Sequence, residues 1–416
     1  NARCVEENVI QLATNSTATA ITGANTMPPT PDFDYYPHNH NIHSAAIIER
    51  GVSVSWDDGI ESQFHVYWLR ENAADALTCH PESKEQQIQL LELPEDLAAT
   101  KVSVSAAGEL QVSWSNGESS SFAPGWLRAY CHQAASATFE LPKRQHWSEK
   151  DLGAVPRFDG PSVLKDREVF GQWCEALHSK GLAILENLPT DETVIEQIPA
   201  LIGPIRQSNF GYSFDVRTST QSTSNAYTSM ALPLHSDLCT REFMPGLQFL
   251  HCLENSSEGG NSLLADGFYL ARLLQQHAPE HYATLSTVPM DFYNKAKDSD
   301  YRFSKPLIGL DGNGELDEIR LSPWLRAPLN APLETVDRCY RALRYLLKLS
   351  EQPGNYITTR LKPGDLLAFD NRRIFHGRTS YDASQGNRWL RGCYGEREEL
   401  WSQLRILSRE QRSGKR

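Results

Sequence analysis

The sequence predicts a β-rich α+β protein: a β-sandwich or jelly roll with helices packed outside it, preceded by a small β module. Two observations lead there. Short apolar runs alternate with Gly, Asn, Asp and Pro turns through most of the chain, which is strand-and-turn patterning. Three segments carry helical spacing, and they do not alternate with strands as βαβ units would, which excludes a doubly wound parallel sheet. The length of 416 residues gives room for two or three domains.

Composition narrows the function classes. Hydrophobic residues make up 40% and charged residues 22%, the balance of a soluble globular protein. The formal net charge of -12 speaks against non-specific nucleic-acid binding and is compatible with a cationic ligand. No apolar run reaches the length of a membrane span. Eight cysteines are scattered without a CxxC pair, so they are expected as reduced thiols of a cytoplasmic protein.

Residues 1–42 are rich in Thr, Asn, Ala and Pro and carry no signal-peptide pattern. They are expected to be a poorly ordered tail, with His38, His40 and the neighbouring His43 incidental. Residues 43–132 read as the small β domain. "GVSVSWDDGIESQFHVYWLRENA" alternates, turns at Asp58-Gly59 and alternates again. "KVSVSAAGELQVSWSNGESSSFAPGWLRAYC" repeats the pattern, with turns at Gly108 and at Asn116-Gly117. Strand, turn, strand and then Trp-Leu-Arg thus occurs twice, an internal duplication too short for a solenoid. Residues 133–160 lack periodicity and read as a linker.

Residues 161–416 form the larger domain. "DREVFGQWCEALHSK" is an amphipathic helix stopped by Gly181, followed by a short buried strand. "ETVIEQIPALIG" is expected as a second helix and residues 334–352 as a third.

The chemistry concentrates in two stretches. In "LPLHSDLCTRE", His235 and Asp237 are two residues apart, so on a strand they would face one spot together. In "RLKPGDLLAFDNRRIFHGRTSY", the buried strand "LLAFD" is followed by His376 on a new short strand. Two imidazoles and one carboxylate leave three positions open on an octahedral metal, the ligand pattern of non-haem Fe(II) oxygenases. A fully ligated zinc site leaves no such room. Arg388 follows His376 by twelve residues and is placed to grip a remote carboxylate through two parallel hydrogen bonds. Arg391 is its rival, but three residues along a strand it should face the other way. A lone His-x-Asp is most often a surface or structural pair. In this order, with "PGDLLAFDN" between, the set becomes specific.

The chain after residue 44 resembles the γ-butyrobetaine dioxygenase family in its bacterial form, within the TauD-type, clavaminate synthase-like Fe(II)/2-oxoglutarate dioxygenases. "VYWLREN", "SNFGYSFDVR", "SNAYTSMALPLHSDLCTRE", "PGLQFLHCLENSSEGGNSLLADGF" and "FDNRRIFHGR" with "GNRWLRGCY" carry the resemblance. It implies a double-stranded β-helix catalytic core behind the small β domain. It implies Fe(II), 2-oxoglutarate and O₂, with His235, Asp237 and His376 as metal ligands and Arg388 on the cosubstrate. It implies hydroxylation of a C–H bond as 2-oxoglutarate is split to succinate and CO₂. Ser262 of "GGNSLLADG" sits where relatives place a hydroxyl near the cosubstrate, a position an ordinary turn serine would also fill.

The family's substrates carry a trimethylammonium group, which has no hydrogen-bond donor and is held by aromatic faces. Phe210, Phe214, Tyr227 and Tyr394 match the family's cage positions, against the plainer reading that they pack the core. Asn225 is a candidate for the substrate's anionic end, whereas Leu238 offers no side-chain hydrogen bond there. The expected reaction is γ-butyrobetaine to L-carnitine. Trimethylaminoethylphosphonate or trimethyllysine are the alternative substrates, and a non-catalytic jelly-roll binding module is the alternative of another class. Relatives carry a zinc in the N-terminal domain, but only Cys79, His80 and Glu118 stand near those positions, so structural zinc is not expected. A homodimer contacting through the N-terminal domain is expected from the family.

Overall fold

In the computed structural model of the chain, residues 29–132, 141–217 and 229–414 are described. The chain divides into two compact units, residues 1–138 and 139–416.

The first unit is built from two antiparallel three-stranded sheets. One has β1 (Ile42–Ile48), β2 (Gly51–Trp56) and β3 (Glu61–His65) in that order, followed by the helix Val66–Glu71. The other has β4 (Ala99–Val104), β5 (Leu110–Trp114) and β6 (Ser119–Phe122), followed by the helix Pro124–Ala129. The duplication holds position by position. Trp56, Ser62, Trp68 and Arg70 recur 58 residues later (114 − 56) as Trp114, Ser120, Trp126 and Arg128. Each buried strand tryptophan donates its indole N–H to the serine six residues on: Trp56 to Ser62 at 2.7 Å, Trp114 to Ser120 at 3.0 Å. Trp68 and Trp126 stack with ring centroids 5.1 Å apart. The turns between the repeat's central strands place Gly59 and Gly117 at φ +82° and +88°, which glycine adopts freely. Each repeat's helix arginine crosses to the other repeat: Arg70 to Glu118 (2.5 Å) and Arg128 to Asp58 (2.7 Å). The described part of the expected tail is not loose throughout. Tyr36 is buried in this core, and its hydroxyl donates to Asp32 at 2.7 Å.

The second unit begins inside the stretch read as a linker. Trp147 is buried, its backbone N–H donating to Asp266 (3.0 Å) and its indole to the Lys180 carbonyl (2.7 Å). β7 (Arg157–Asp159) pairs in parallel with β8 (Leu182–Glu186). These partners are distant in sequence, so no local periodicity announces them. The helix Arg167–Ser179 is capped by Asp166 and buries Phe170, Trp173, Cys174 and Leu177. The expected second helix is short: Val194–Gln197, then a 3₁₀ turn at Pro199–Leu201, because Pro199 has no N–H to continue the ladder. The expected third helix is present as Leu333–Glu351.

The remaining strands are β9 (Ser213–Arg217), β10 (Leu232–His235), β11 (Leu247–Asn255), β12 (Ser262–Asp266), β13 (Met290–Ala296), β14 (Ser299–Lys305), β15 (Ile308–Leu310), β16 (Leu316–Ile319), β17 (Ile357–Thr359), β18 (Leu366–Asp370), β19 (Ile374–Arg378) and β20 (Arg388–Gly395). Two sheets make the core of the second unit, one of six strands in the order β7-β8-β18-β11-β20-β9 and one of four in the order β10-β19-β12-β17. From β9 to β12 and again from β17 to β20, successive strands alternate between the two sheets, as in a double-stranded β-helix.

Strand alternation decides what each face covers. In β8 and β18, Ala183, Leu185, Leu366 and Ala368 pack with the helix residues Trp173, Leu400 and Leu404. Leu182, Ile184, Leu367 and Phe369 face the other way and pack with Leu264, Ile357 and Ile374 of the four-stranded sheet. Leu234, Ala265 and Phe375 of that sheet join a third core with Phe268, Leu274 and Leu346 from the helices Gly267–His277 and Leu333–Glu351. His235 and His376, one position along from Leu234 and Phe375, therefore point between the sheets.

Candidate active site

His235 ends β10 and His376 lies directly opposite it on β19 in the antiparallel register, with ring centroids 4.2 Å apart. Asp237 does not share their strand. It lies in the turn after β10, and Leu238 beyond it has φ +55°. The turn, rather than strand alternation, brings its carboxylate to the imidazoles. Asp237 Oδ1 is 3.4 Å from His235 Nε2 and 3.6 Å from His376 Nε2. All three donor atoms lie within 4.8 Å of one another, a spacing that suits a single ion. The His235 Nδ1–H donates to the Pro233 carbonyl at 2.8 Å, which leaves the Nε2 lone pair facing Asp237.

The electrostatics match that donor set. Burial alone would raise the Asp237 carboxyl. His376, His235 and the Tyr394 hydroxyl outweigh it and hold the group well below the usual carboxylate range. Burial and the neighbouring His235 push the His376 imidazole down to about 3, against the pull of Asp237. A neutral imidazole and an ionised carboxylate are the forms that ligate a cation. Tyr394 donates its hydroxyl to Asp237 Oδ2 at 2.8 Å, fixing the oxygen that does not face the imidazoles.

The three groups line a pocket enclosing about 580 Å³ of empty space, part of it open to solvent. Between them and Arg388 its wall is largely apolar, with Leu250, Leu264, Leu367 and Leu390. Arg388 is buried, and its Nε–H donates to the Gly260 carbonyl at 3.2 Å. A Cβ on Gly260 would stand 2.9 Å from the Arg388 Cδ, so only glycine lets the arginine lie there. Burial and the nearby Arg378 bring the guanidinium down to about 10, still cationic at neutral pH. Arg391 points elsewhere, pairing with Glu192 and donating to Ser213 at 3.0 Å.

Ser262 lines the same pocket. So does Phe214, whose ring lies 5.1 Å from that of Tyr394 and 5.9 Å from that of Phe210. Phe210 is partly exposed, and the turn at Ser208–Gly211 turns Tyr212 outward. Asn225 and Tyr227 lie outside the described residues. Cys79, His80 and Glu118 have other partners: Glu118 the Arg70 guanidinium, His80 Nδ1 the Ser83 N–H, and Cys79 the Pro31 carbonyl. His40 lies near Asp57 and Asp58 in an exposed group already engaged by Asn41 and Arg128.

Three residues around the site escaped the sequence reading. Arg378 is buried, lines the pocket and donates to the Met230 carbonyl at 2.8 Å. Its signal was available, since it stands two residues after His376 on the same strand. Gln248 is buried in the pocket wall, opposite Tyr394 in the β11–β20 register, and its Oε1 has no hydrogen-bond partner among the described residues. A buried amide oxygen left open toward a pocket fits a site that receives a polar ligand. The Trp324 ring lies 4.7 Å from that of His235. Neither Gln248 nor Trp324 carries a local signal.

The model of the "Taurine catabolism dioxygenase TauD, TfdA family" matches residues 142–394. The chain is 40% identical over 379 residues to the γ-butyrobetaine dioxygenase of Pseudomonas sp. (strain AK-1), covering 91% of this chain and 99% of that protein. It is 28% identical over 390 residues to the trimethyllysine dioxygenase of Meyerozyma guilliermondii, covering 89% and 96%. It is 27% identical over 374 residues to the human γ-butyrobetaine dioxygenase, covering 87% and 96%.

Proposed function

The chain belongs to the taurine catabolism dioxygenase TauD, TfdA family, and on that premise we propose that it is an Fe(II)- and 2-oxoglutarate-dependent hydroxylase of a trimethylammonium compound, converting γ-butyrobetaine to L-carnitine with release of succinate and CO₂. The observation that carries this reading is the pocket itself. Two imidazoles and an ionised carboxylate gather at one point of its wall, and a buried guanidinium lies in the same lining with leucines between.

His235, Asp237 and His376 would hold the iron, which when bound supplies the activation of O₂ coupled to oxidative decarboxylation of the cosubstrate. Arg388 would bind the cosubstrate's remote carboxylate, with Ser262 beside it. The leucine wall excludes water from that ion pair and so strengthens it. Tyr394 would keep Asp237 ionised and oriented through its hydroxyl. Its ring and those of Phe214 and Phe210 would offer faces to the trimethylammonium group, with Tyr227 and Asn225 as further substrate contacts.

The resemblance to a trimethyllysine dioxygenase supports trimethyllysine as the competing substrate. Leu238 beside Asp237 offers no side-chain hydrogen bond to the substrate's anionic end, and trimethylaminoethylphosphonate stands as the other alternative substrate. The test offers each compound to the Fe(II)-reconstituted protein with 2-oxoglutarate and O₂, with succinate and hydroxylated product measured by mass spectrometry. Product from γ-butyrobetaine with matching succinate is expected. Product only from another cation would move the substrate assignment, and absence of Fe(II) binding would return the chain to a non-catalytic binding module.

Among the described residues no helix is long and apolar enough to cross a membrane. Cys79, Cys174, Cys239, Cys252, Cys339 and Cys393 are buried free thiols, which supports a reducing cytoplasm as the working compartment. Exposed Leu77, Leu90 and Leu91 support the N-terminal unit as the contact of a homodimer, to be read from the mass in solution.

A further inference from the structure

Leu238 is a buried leucine in the left-handed backbone region, at φ +55°, immediately after Asp237. Side chains with a Cβ rarely adopt that conformation, so the surroundings must impose it. The neighbouring contacts identify what does. Asn371 is fully buried. Its Oδ1 accepts the Asp237 N–H at 2.8 Å, and its Nδ2 donates to the carbonyls of Asp237 and Pro245, both at 3.1 Å. Its own backbone N–H donates to the Gly246 carbonyl at 3.0 Å. An N–H can only donate and a carbonyl only accept, so these partners fix the orientation of the amide. Asn371 stands between β18 and β19, five residues before His376 (376 − 371). One side chain therefore ties the turn that carries Asp237 to the connection that leads into His376.

We propose that Asn371 is a positioning residue of the metal centre: its amide grips both sides of the Asp237 peptide and holds the left-handed turn at Leu238 that aims the carboxylate between His235 and His376. The inference rests on the metal-centre reading given under Proposed function. No other amino acid offers one acceptor and two donors at this reach. Alanine leaves the Asp237 N–H and two carbonyls without these bonds. Aspartate keeps the acceptor and sets a second oxygen against two carbonyl oxygens.

The test uses the full chain and Mn(II) alone, with free Mn(II) followed by electron paramagnetic resonance. Asn371→Ala is expected to raise the Mn(II) Kd by about 10- to 100-fold, the range for losing a residue that orients a metal ligand. Leu274→Ala, in the helical core, is the control. It should lower the melting temperature and leave the Mn(II) Kd at the wild-type value. A second pair reads the same turn should the alanine variant fail to fold. Leu238→Gly, free at positive φ, should bind Mn(II) as wild type does. Leu238→Val, β-branched and excluded from that region, should bind about tenfold more weakly. A folded Asn371→Ala that binds like wild type, or equal affinities for the two Leu238 variants, overturns the proposal. Wild-type protein that binds no Mn(II) overturns the metal-centre reading instead, and the positioning role with it.

Discussion

The two units of this chain store their information at different ranges. In the N-terminal unit the stabilising contacts repeat with the sequence: an indole bonded to a serine six residues on, a tryptophan in each following helix, an arginine two residues beyond. In the larger unit the candidate ligands His235 and His376 are 141 residues apart (376 − 235) and meet as a cross-strand pair. A short module can be specified by local repetition. A metal centre between two sheets needs strands from both ends of the domain, and the cost of closing such long loops is met by the apolar faces around it. Substitutions at the larger unit's candidate site should therefore abolish function with modest effects on folding, and those at the smaller unit's crossing pairs should do the reverse.

The largest effect is expected at the centre itself. His235→Ala or Asp237→Ala should lower turnover by about 10³-fold or more while the protein keeps its circular dichroism spectrum. Succinate release at the wild-type rate from either variant would break the assignment. The next largest belongs to the small unit. Arg70 is almost fully buried and pairs with Glu118. Glu118→Ala leaves that guanidinium with Thr78 and with the Asp75 carboxylate 3.9 Å away, and should cost about 2 kcal/mol of stability, read from denaturant unfolding. Treatment with a chelator should leave this unit's unfolding unchanged, because Cys79, His80 and Glu118 are engaged with Pro31, Ser83 and Arg70.

What the sequence disclosed follows the same division by range. The duplicated unit was legible because its turns, Asp58-Gly59 and Asn116-Gly117, and its Trp-Leu-Arg helices are local signals. Tyr36 and Trp147 lie in stretches whose composition suggests a tail and a linker, because what fixes them is remote: the Tyr36 ring in a core formed by later strands, the Trp147 backbone on Asp266. For the candidate site, residue type and order single out His235, Asp237 and His376, which the structure gathers at one point. The reason given for Asp237 was incomplete, since a turn and not an unbroken strand delivers it. Arg388 was separated from Arg391 by strand parity alone, and the structure puts one in the pocket lining and the other against Glu192. Gln248 and Asn371 matter only through partners more than a hundred residues away.

That parity argument sharpens into a measurement. Losing a charge-assisted hydrogen bond costs about 1.5–3 kcal/mol, so Arg388→Met should raise the KM for 2-oxoglutarate by about 10- to 100-fold. Arg391→Met should leave it unchanged, and the opposite ranking would exchange their roles. Acid should distinguish the units as well. Burial and Arg144 bring His178 down to about 4, and burial and His235 bring His376 to about 3. An imidazole whose folded value lies below its unfolded value near 6.5 takes up protons on unfolding. Their stabilising contribution is complete above about 6.5 and is lost as the pH falls toward 4 and then 3. Both residues lie in the larger unit, so the metal-free protein should lose melting temperature across that window, and His178→Gln should flatten the slope. A slope unaffected by that substitution would place the acid sensitivity elsewhere.

The smallest effect tests the duplication. Arg128 repeats Arg70, and Asp58 stands to it as Glu118 stands to Arg70, but the second arginine is more open, its side chain 14% exposed against 1% for Arg70. Asp58→Ala leaves a guanidinium that water can reach and that still lies over the Trp56 ring at 5.2 Å. Its cost should be below about 1 kcal/mol, the range of exposed ion pairs, and should shrink further at high salt. Equal costs for Asp58→Ala and Glu118→Ala would mean that the two halves carry the unit's stability symmetrically. The expected inequality means that the repeat preserved the geometry of the crossing arginines while burying only one of them.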